Sequence, residues 1–541
     1  MTELDNAAVA ERLEAFAGLL DLAGASGYSA RAYRRAAETI RATDAQILEL
    51  ARQGRAQELR GIGPGIAARL GELAETGTIA ELDELRREVR PELVGLGRMV
   101  GLSPTRTVEI ATALGVETPD DFRQAALEGR LREAPGVGPA TEAKILERLR
   151  RGTERPRRGL TINRARPLVE EIANALGGEP SGDPRRWADL SFDLAVVVPT
   201  TEPAAVVDAF AVLPQIVTLV ERAERRAVGV TVEGVPVVLH LPAPRTFGTE
   251  LVRRTGSAAY VEALEPLPEG TDEEAVYASL GIPWCPPELR EAPFRGEPPA
   301  LVELEDVRGD LHSHTTWSDG RASVREMALA ARGRGYAYLA ICDHTVSVRV
   351  VPGLDADAVR RQGEEIAAAN EELAPFRVLG GIEVDIRRDG SLDLPDDVLA
   401  ELDWVQLSLH AGQREERKGL TAKVVEAMRH PAVRCLSHPK GRILNHRPPN
   451  ALDLDQVLDV ARAQGVALEV NGLPDRLDLS GEDARRAVEA GVPLVVSTDA
   501  HSVRGLGNMQ LAVATARRGW ATAANVLNTR PLEEVLAHRR G

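Results

Sequence analysis

Residues 309–320 read Gly-Asp-Leu-His-Ser-His-Thr-Thr-Trp-Ser-Asp-Gly, GDLHSHTTWSDG. On an extended strand residues i and i+2 face the same way, so His312 and His314 can point into one site. Six further apolar runs follow: YAYLAICDH (336–344), RVLGGIEVD (377–385), DWVQLSLH (403–410), AVRCLSHP (432–439), GVALEVNG (465–472) and VPLVVSTDAH (492–501). Each run stops at a polar residue, and amphipathic helical patterns lie between the runs. Repeated strand–helix units of this kind predict a parallel sheet closed as a barrel. Chemistry in such barrels gathers at the C-terminal ends of the strands. Here those ends carry His312, His314, Asp343, His344, Glu383, His410, His438, Asp499 and His501.

The distribution of histidine supports a metal site. Eight of the ten histidines fall between residues 312 and 501, and six of those eight close an apolar run or follow one directly. A lone buried histidine is more often structural than ligating, but a set that converges on strand ends is a different matter. Asp499 and His501 repeat the i, i+2 spacing. Neutral imidazoles with carboxylates suit Zn²⁺, Mn²⁺ or Fe²⁺, and a bridging glutamate suits a multinuclear site. His430 and His446 fall at a helix end and in a loop and are left outside the set.

At 541 residues the chain exceeds one ordinary core, and three to five domains are expected. Its 43% hydrophobic and 27% charged content is that of a soluble globular protein. No apolar run approaches the roughly 18 residues needed to span a bilayer. The start, MTELDNAAVAERLEAF, is acidic and amphipathic, unlike a signal peptide. Cys285, Cys342 and Cys435, widely spaced, argue for a reducing cytoplasm. The net charge of −16 by its total argues against nucleic acid, but distribution matters more than the total. From Arg148 to Arg166, RLRRGTERPRRGLTINRAR holds eight arginines and one glutamate. This is the best candidate for a phosphate-contacting strip, with Arg150, Arg151, Arg157 and Arg158 at its centre.

Residues 1–155 read as short helices punctuated by Gly and Pro. LSFDLAVVVP and VGVTVEGVPVVLHLP are β-branched runs separated by the helical EPAAVVDAFAVL, which predicts a small α/β unit over roughly 160–245. The Pro-rich segment 281–306, GIPWCPPELREAPFRGEPPALVELED, reads as a linker.

Taken together, DLHSHTTWSDG, ICDHT, GIEVDI, SLH, SHP and STDAH resemble the polymerase-and-histidinol-phosphatase (PHP) domain, a distorted barrel with a trinuclear phosphoesterase site. The resemblance covers about 307–541, and all nine ligand types are present in order. It implies three divalent ions, Zn, Mn or Fe. His312, His314, Glu383 and Asp499 would hold one; Glu383, His410 and His438 a second; Asp319, His344 and His501 the third. Such ions lower the pKa of water and neutralise charge on the attacked and leaving oxygens of a phosphate ester. Asp319 and Glu383 are thereby expected to be catalytic. Arg442 or Lys440, just after SHP, would add a cation for the substrate phosphate.

LRGIGPGIAARL (59–70) is a helix-hairpin-helix signature, with Gly61 and Gly63 letting a DNA backbone approach the free amides of a helix N-terminus. APGVGPATEAKILERL (134–149) repeats it with Gly136 and Gly138, and GLGRMVGL (95–102) reads as a degraded third copy. With AERLEAFAGLLDLAGASGYSARAYRRAAETI before them, RRTGSAAY (253–260) and YASLGIPWCPPELREA (277–292) after them, the whole chain is similar to bacterial family X DNA polymerases with a C-terminal PHP domain. The resemblance implies five units: two helix-hairpin-helix regions, 1–85 and a fingers-like 86–158; a nucleotidyltransferase-like palm, 159–245; a thumb-like region and linker, 246–306; and the PHP domain, 307–541.

The palm departs from the family pattern. Polymerases of this type place Asp-x-Asp on one strand and a third Asp on a later one, because two Mg²⁺ ions need those carboxylates. Here the first strand reads Ser191-Phe192-Asp193 and the later one Val237-Val238-Leu239, while the family's Gly-Ser-x-Arg-Arg phosphate loop reads GGEPSGDPRRW. Asp183 and Glu233 lie nearby without being placed by the motif. The palm is therefore expected to keep its fold and lose its chemistry. A lyase activity at abasic sugars needs an amine nucleophile. Gly65 and Arg69 stand where relatives carry lysine, and arginine stays protonated. The expected function is a DNA-repair phosphoesterase: a 3′–5′ exonuclease or 3′-end processor with abasic-site cleavage as a further activity. It would bind gapped or damaged duplex through the backbone, as a cytoplasmic, nucleoid-associated monomer. The alternatives are a working family X polymerase, a small-molecule phosphatase of the histidinol-phosphate kind, and a DNA-binding scaffold with a structural metal site.

Overall fold

The computed structural model describes residues 159–538 apart from 232–233 and 349–351. It also describes 27–151 apart from 42–45, 60, 78, 82–99, 101 and 117, with scattered positions between 6 and 20. Helices Gly27–Arg41, Ile47–Arg52 and Pro64–Thr76 surround a core that includes Leu13, Phe16, Ile40, Leu70 and Leu73. Helices Pro104–Leu114, Pro119–Leu127 and Pro139–Arg151 surround a second, with Ile110, Phe122, Leu131 and Ile145. All three of this second group begin on proline, whose missing N–H costs nothing at a first turn. Ser103 and Thr118 cap the first two of them through side-chain oxygens.

The next unit is a small α/β body. A ribbon of β1 (Leu160–Thr161) and β3 (Leu190–Ser191) stands beside a five-stranded sheet. That sheet is built of β2 (Glu179–Gly182), β4 (Leu194–Val197), β5 (Ile216–Ala223), β6 (Arg226–Thr231) and β7 (Pro236–His240), in the order β2-β4-β7-β6-β5. Leu194, Val196, Val237 and Leu239 face a core built with helix Ile162–Leu176. Val220, Val228, Val230 and Val238 form a separate apolar patch.

The C-terminal unit is a nearly closed parallel barrel. Its strands are β8 (Gly309–Ser313), β9 (Tyr338–Ile341), β10 (Arg377–Asp385), β11 (Trp404–Ser408), β12 (Cys435–Leu436), β13 (Ala467–Asn471) and β14 (Leu494–Ser497), paired in sequence order. Alternation sorts their residues. Val378, Ile382 and Val384, Val405 and Leu407, Leu468 and Val470, Leu494 and Val496 join apolar clusters with the covering helices. The intervening residues point inward. Tyr338, Ala340, Leu379, Trp404, Ala467 and Val495 fill one end of the interior with Leu527 and Val535. Nearer the C-terminal ends the inward residues are polar: His312, Glu383 and Asp385, Gln406, Glu469 and Asn471. Gly381 is required beside Trp404, since a Cβ there would lie 2.8 Å from the Ile341 carbonyl and 3.0 Å from that of Trp404.

The seam between β8 and β14 is a single bridge, Ser313 to Ala500, rather than a ladder. Side chains satisfy the exposed edges instead. Asn528 donates to Gly309 O and Val496 O, each at 2.7 Å, and accepts from Val496 N. Asp310 accepts from the backbone and hydroxyl of Thr498.

The Pro-rich segment 281–306 is not a free linker. Cys285, Leu289, Arg290 and Val302 are buried, and Val302 N bonds Ala521 O at 2.9 Å. Proline here shapes an irregular strap that is held by packing, where composition alone indicated a spacer. The strap is clamped by Glu273, which pairs with Arg290 at 2.6 Å and Arg185 at 2.7 Å.

Candidate metal centre

Nine side chains converge at the C-terminal ends of the barrel strands. His314 Nε2 lies 3.2 Å from His312 Nε2 and 3.0 Å from Asp499 Oδ1. Glu383 stands centrally: one oxygen is 2.9 Å from His438 Nε2 and 3.6 Å from His410 Nε2. Its other oxygen is 2.8 Å from His344 Nδ1, 3.6 Å from His312 Nε2 and 3.8 Å from His314 Nε2. Asp319 completes the set, 3.3 Å from His501 Nε2 and 3.7 Å from His344 Nε2. Donor atoms that lie within 4.8 Å of one another fall into three groups. His314, Asp319, His344 and His501 form one set, His312, His314 and Asp499 another, and His344, Glu383 and His410 a third. His314 and His344 are thus shared between sets, because ring orientation, which strand order does not specify, decides which neighbours a nitrogen meets.

A surrounding layer orients these groups. His312 donates from Nδ1 to Glu469 Oε1 at 2.6 Å, which turns Nε2 toward the cluster. Glu469 also accepts from Gln406, Ser497, the His438 amide and Asn471. Asp385 accepts the His410 amide at 2.9 Å. Asp343 accepts from Thr315, Ser318 and Gln362, fixing the loop that carries Asp319. Only Asp343 of these was marked by sequence as a strand end. Asp385 and Glu469 were legible in principle: each is a carboxylate in phase with the inward face of an apolar strand. His438 and Asp499 hold left-handed φ of 25° and 51°, a conformation non-glycine residues keep only where the surroundings impose it.

The electrostatics fit divalent ions. Burial would raise the Glu383 carboxyl, yet His410, His344 and His312 hold it well below the usual range. Asp499 is likewise held low against burial by His312 and His314. Burial disfavours a charged His312, but Glu469, Asp499 and Glu383 lift it well above the usual imidazole value. His314 goes the other way, to about 4, through burial and the neighbouring His501 and His344. Buried carboxylates kept ionised by facing imidazoles are a set in which metal ions can replace protons. Glu383 Oε2, His314 Nδ1, His344 Nδ1, His410 Nδ1 and His438 Nδ1 are buried without a hydrogen bond. Orphaned polar atoms at this density are costly unless they ligate.

The expected phosphate cation is placed elsewhere. The Arg442 guanidinium bonds Asp189 of the α/β unit at 2.6 Å and the carbonyls of Arg476 and Leu477. Lys440 Nζ donates to Leu452 O at 3.0 Å. The arginine at the cluster is instead Arg476, with Nε 3.8 Å from Asp499 Oδ2. The fields of Asp499 and Glu383 outweigh its burial and raise it further. A cleft of about 560 Å³ opens beside His410 and Asp385, lined by Val348, Ile386, Arg387 and Arg388.

At the other end of the chain both hairpins are formed. Gly61 and Gly136 take φ of 96° and 72°, which favours glycine. At Gly63 and Gly138 an added Cβ would meet nothing within 4 Å, so these positions leave open space before helices Pro64–Thr76 and Pro139–Arg151. The side chains of Arg150 and Arg151, together with Arg157, Arg158 and most of the third copy, lie outside the described residues.

A sequence model of the helix-hairpin-helix domain matches residues 4–79, and one of the SAM-like helix-hairpin-helix tandem matches 96–151. The DNA polymerase/3′–5′ exonuclease PolX of Bacillus subtilis (strain 168) is 33% identical over 97% of this chain and 97% of its own. The chain belongs to the PolX family. Probable phosphatases match part of this PolX chain. That of Thermoanaerobacter sp. (strain X514) is 28% identical over 41% of the chain and 89% of its own length. That of Shewanella sp. (strain MR-4) is 24% identical over 41% and 88%.

The α/β unit of this PolX chain holds the residues expected at the palm positions. Ser191 and Asp193 do not share one strand: Ser191 ends β3, and Asp193 precedes β4. Val238 pairs with Ala195 across β4 and β7. Asp183 is spent on structure, accepting the amides of Phe192 and Asp193 at 2.7 and 2.9 Å and pairing with Arg186 at 2.6 Å. Arg185 and Arg186, in the segment read as a phosphate loop, are tied to Thr255, Glu273 and Glu291. Glu233 lies outside the described residues. Arg69, at a lysine position of the lyase reading, pairs with Glu81 and lies over Phe16 and Tyr33.

Proposed function

We propose that this PolX chain is a DNA-directed, metal-dependent phosphoesterase that trims 3′ ends, and that its palm binds DNA without polymerising. The observation that carries the reading is the cluster of Glu383, Asp319, Asp499 and six histidines, in which five buried nitrogen and oxygen atoms have no hydrogen bond. Divalent ions held there, three of Zn, Mn or Fe, would supply Lewis-acid charge and a nucleophilic water at neutral pH. His312, His314, His344, His410, His438, His501, Asp319, Glu383 and Asp499 would hold them. Arg476 would grip a phosphate oxygen of the strand in place of Arg442, since guanidinium donors match that geometry. The cleft beside His410 would receive the terminal nucleotide, with Arg388 at its rim.

The hairpins support duplex-backbone binding: open space at Gly63 and Gly138 admits a phosphate to the helix N-termini. Abasic-site cleavage would use the same barrel, since Arg69 cannot form an imine. The five units 1–85, 86–158, 159–245, 246–306 and 307–541 would divide binding from hydrolysis. No described helix is long and apolar enough to cross a membrane, and we assign the protein, as a monomer, to the cytoplasm at the nucleoid. The test incubates purified protein and Mn²⁺ with a 3′-labelled gapped duplex, with and without deoxynucleotides. The 3′ end should shorten in both, and His312→Ala should stop it. Template-dependent extension that survives His312→Ala and is lost in Asp193→Ala would overturn the reading of the palm. The barrel matches to probable phosphatases favour one rival, a small-molecule phosphatase. Hydrolysis of a small monoester with the DNA end left intact would establish it.

A further inference from the structure

Arg442 is bound to the palm, and its contacts run on into the metal centre. The palm meets the barrel through Ile162, Trp187 and Leu190 against Leu444, Leu477 and Leu511. Asn445 Nδ2 bonds Gly159 O at 3.0 Å across the same contact. At its polar edge sits Asp189, whose two oxygens each take one arginine, Arg442 and Arg518, both at 2.6 Å. Its carboxylate is 14% exposed, so it is the anion that lets two guanidiniums converge in partial burial.

Arg442 follows the ligand His438 by four residues. While bound to Asp189 it donates from Nε to Arg476 O at 2.9 Å and from Nη2 to Leu477 O. Its own amide is held by Asp478, which also takes the Lys440 amide at 3.1 Å. Leu477 is in the left-handed region at φ 45°, a shape a leucine keeps only under external constraint. Arg476, one residue earlier, therefore owes its direction to a backbone that Arg442 grips. Its guanidinium reaches Asp499, which His314 also contacts.

We propose that Asp189, a palm residue, is a positioning residue for the barrel's hydrolytic site. Through Arg442 it fixes the backbone of Arg476 and Leu477, and with it the guanidinium that meets a phosphate oxygen of the substrate. The proposal rests on the phosphoesterase reading above. It gives the palm a function that does not depend on the carboxylates it lacks. Without the Asp189 carboxylate, Arg442 and Arg518 repel, the grip on the two carbonyls loosens, and Arg476 loses its register with the cluster.

The test compares full-length wild type with Asp189→Asn, Asp189→Glu, Arg476→Lys and the double variant Asp189→Asn with Arg476→Lys. Each is assayed with Mn²⁺ for kcat and KM on a 3′-labelled gapped duplex, and on bis(p-nitrophenyl) phosphate. Metal content and thermal melting are recorded alongside. Misplacement by about 1 Å can cost on the order of 10²-fold in rate. Asp189→Asn should therefore lower kcat by roughly 10- to 100-fold on both substrates, with KM and metal content little changed. Asp189→Glu should recover most of the loss, and in the Arg476→Lys background Asp189→Asn should add almost nothing. A folded Asp189→Asn protein with wild-type kcat, or losses that multiply fully in the double variant, would overturn the proposal. If Asp189→Asn does not fold, Arg442→Lys replaces it, keeping the charge opposite Asp189 while removing the second carbonyl donor, under the same expectations. A wild type inert on DNA ends but active on the small diester would sink the strand-directed reading instead, and the variants then decide the positioning role on that diester.

Discussion

Glu469 touches none of the reacting groups, yet five donors from four strands and the β12 loop end on its carboxylate. It accepts the His312 ring, Gln406, Ser497, Asn471 and the amide of His438. Burial opposes its charge, but His312 holds it below the usual carboxyl value. Glu469→Gln keeps the shape and removes the charge that selects the His312 tautomer. Loss of such an outer partner typically costs about 10- to 100-fold in metal affinity. Competition dialysis against a chelator should show a drop of that size with the fold intact; unchanged affinity would mean that packing alone sets the ring.

At the scale of elements, two devices stand apart from the metal. Glu273 joins helix Glu273–Leu280 to Arg185 in the α/β unit and to Arg290 in the strap, which is fully buried. Burial would raise Glu273, but the hydrogen bond and charge of Arg290, with Arg185, bring it from 4.5 down to about 2. A carboxyl depressed on folding stabilises the native state above its unfolded value and loses that contribution as pH falls through the folded one. The clamp should therefore be fully effective above about pH 4.5 and fade toward pH 2. Glu273→Gln leaves Arg290 buried without its anion, at a cost of about 3–5 kcal/mol. Urea melts at pH 7 and pH 3 should show the variant's deficit narrowing at the lower pH.

The hairpins are the second device. Gly61 and Gly136 are needed for their left-handed turns, whereas Gly63 and Gly138 leave room. Gly63→Val with Gly138→Val should fold normally, since nothing lies within 4 Å of either Cβ. It should weaken gapped-duplex binding in a fluorescence titration while hydrolysis of a small phosphoester is spared. Undiminished affinity would place the DNA elsewhere.

On the scale of the molecule, the barrel's inner end carries ionised carboxylates and imidazoles that its own hydrogen bonds do not fully satisfy. Ions bound only by the folded barrel stabilise it by about 2.7 kcal/mol when present at 100 times Kd. Chelation should abolish end trimming and lower the melting temperature of the barrel. The helical core around Phe16 and Leu70 should melt unchanged, because it contains no part of the cluster. A barrel transition indifferent to chelator would show that its ligands are satisfied without metal.

Chain order and alternation were enough to read the strands, the direction of the barrel and eight of the nine side chains that meet at the cluster, while Asp319 entered only through the family resemblance. These properties are local: an i, i+2 phase and a polar stop travel with a few neighbouring residues. The hairpins were legible for the same reason, since a left-handed glycine before a helix is a short-range signal. Other features are not local. Which oxygen of Glu383 meets which ring depends on side-chain directions from β8, β9, β10, β11 and β12 at once. The Pro-rich strap was read as a spacer because composition cannot show that Arg290 has a buried anion waiting in another helix. Arg442 was read as a phosphate ligand from its place after His438, and only the folded chain brings Asp189, 253 residues away, to its guanidinium. A pairing across that separation is made by the docking of two units, and no window of sequence contains both partners.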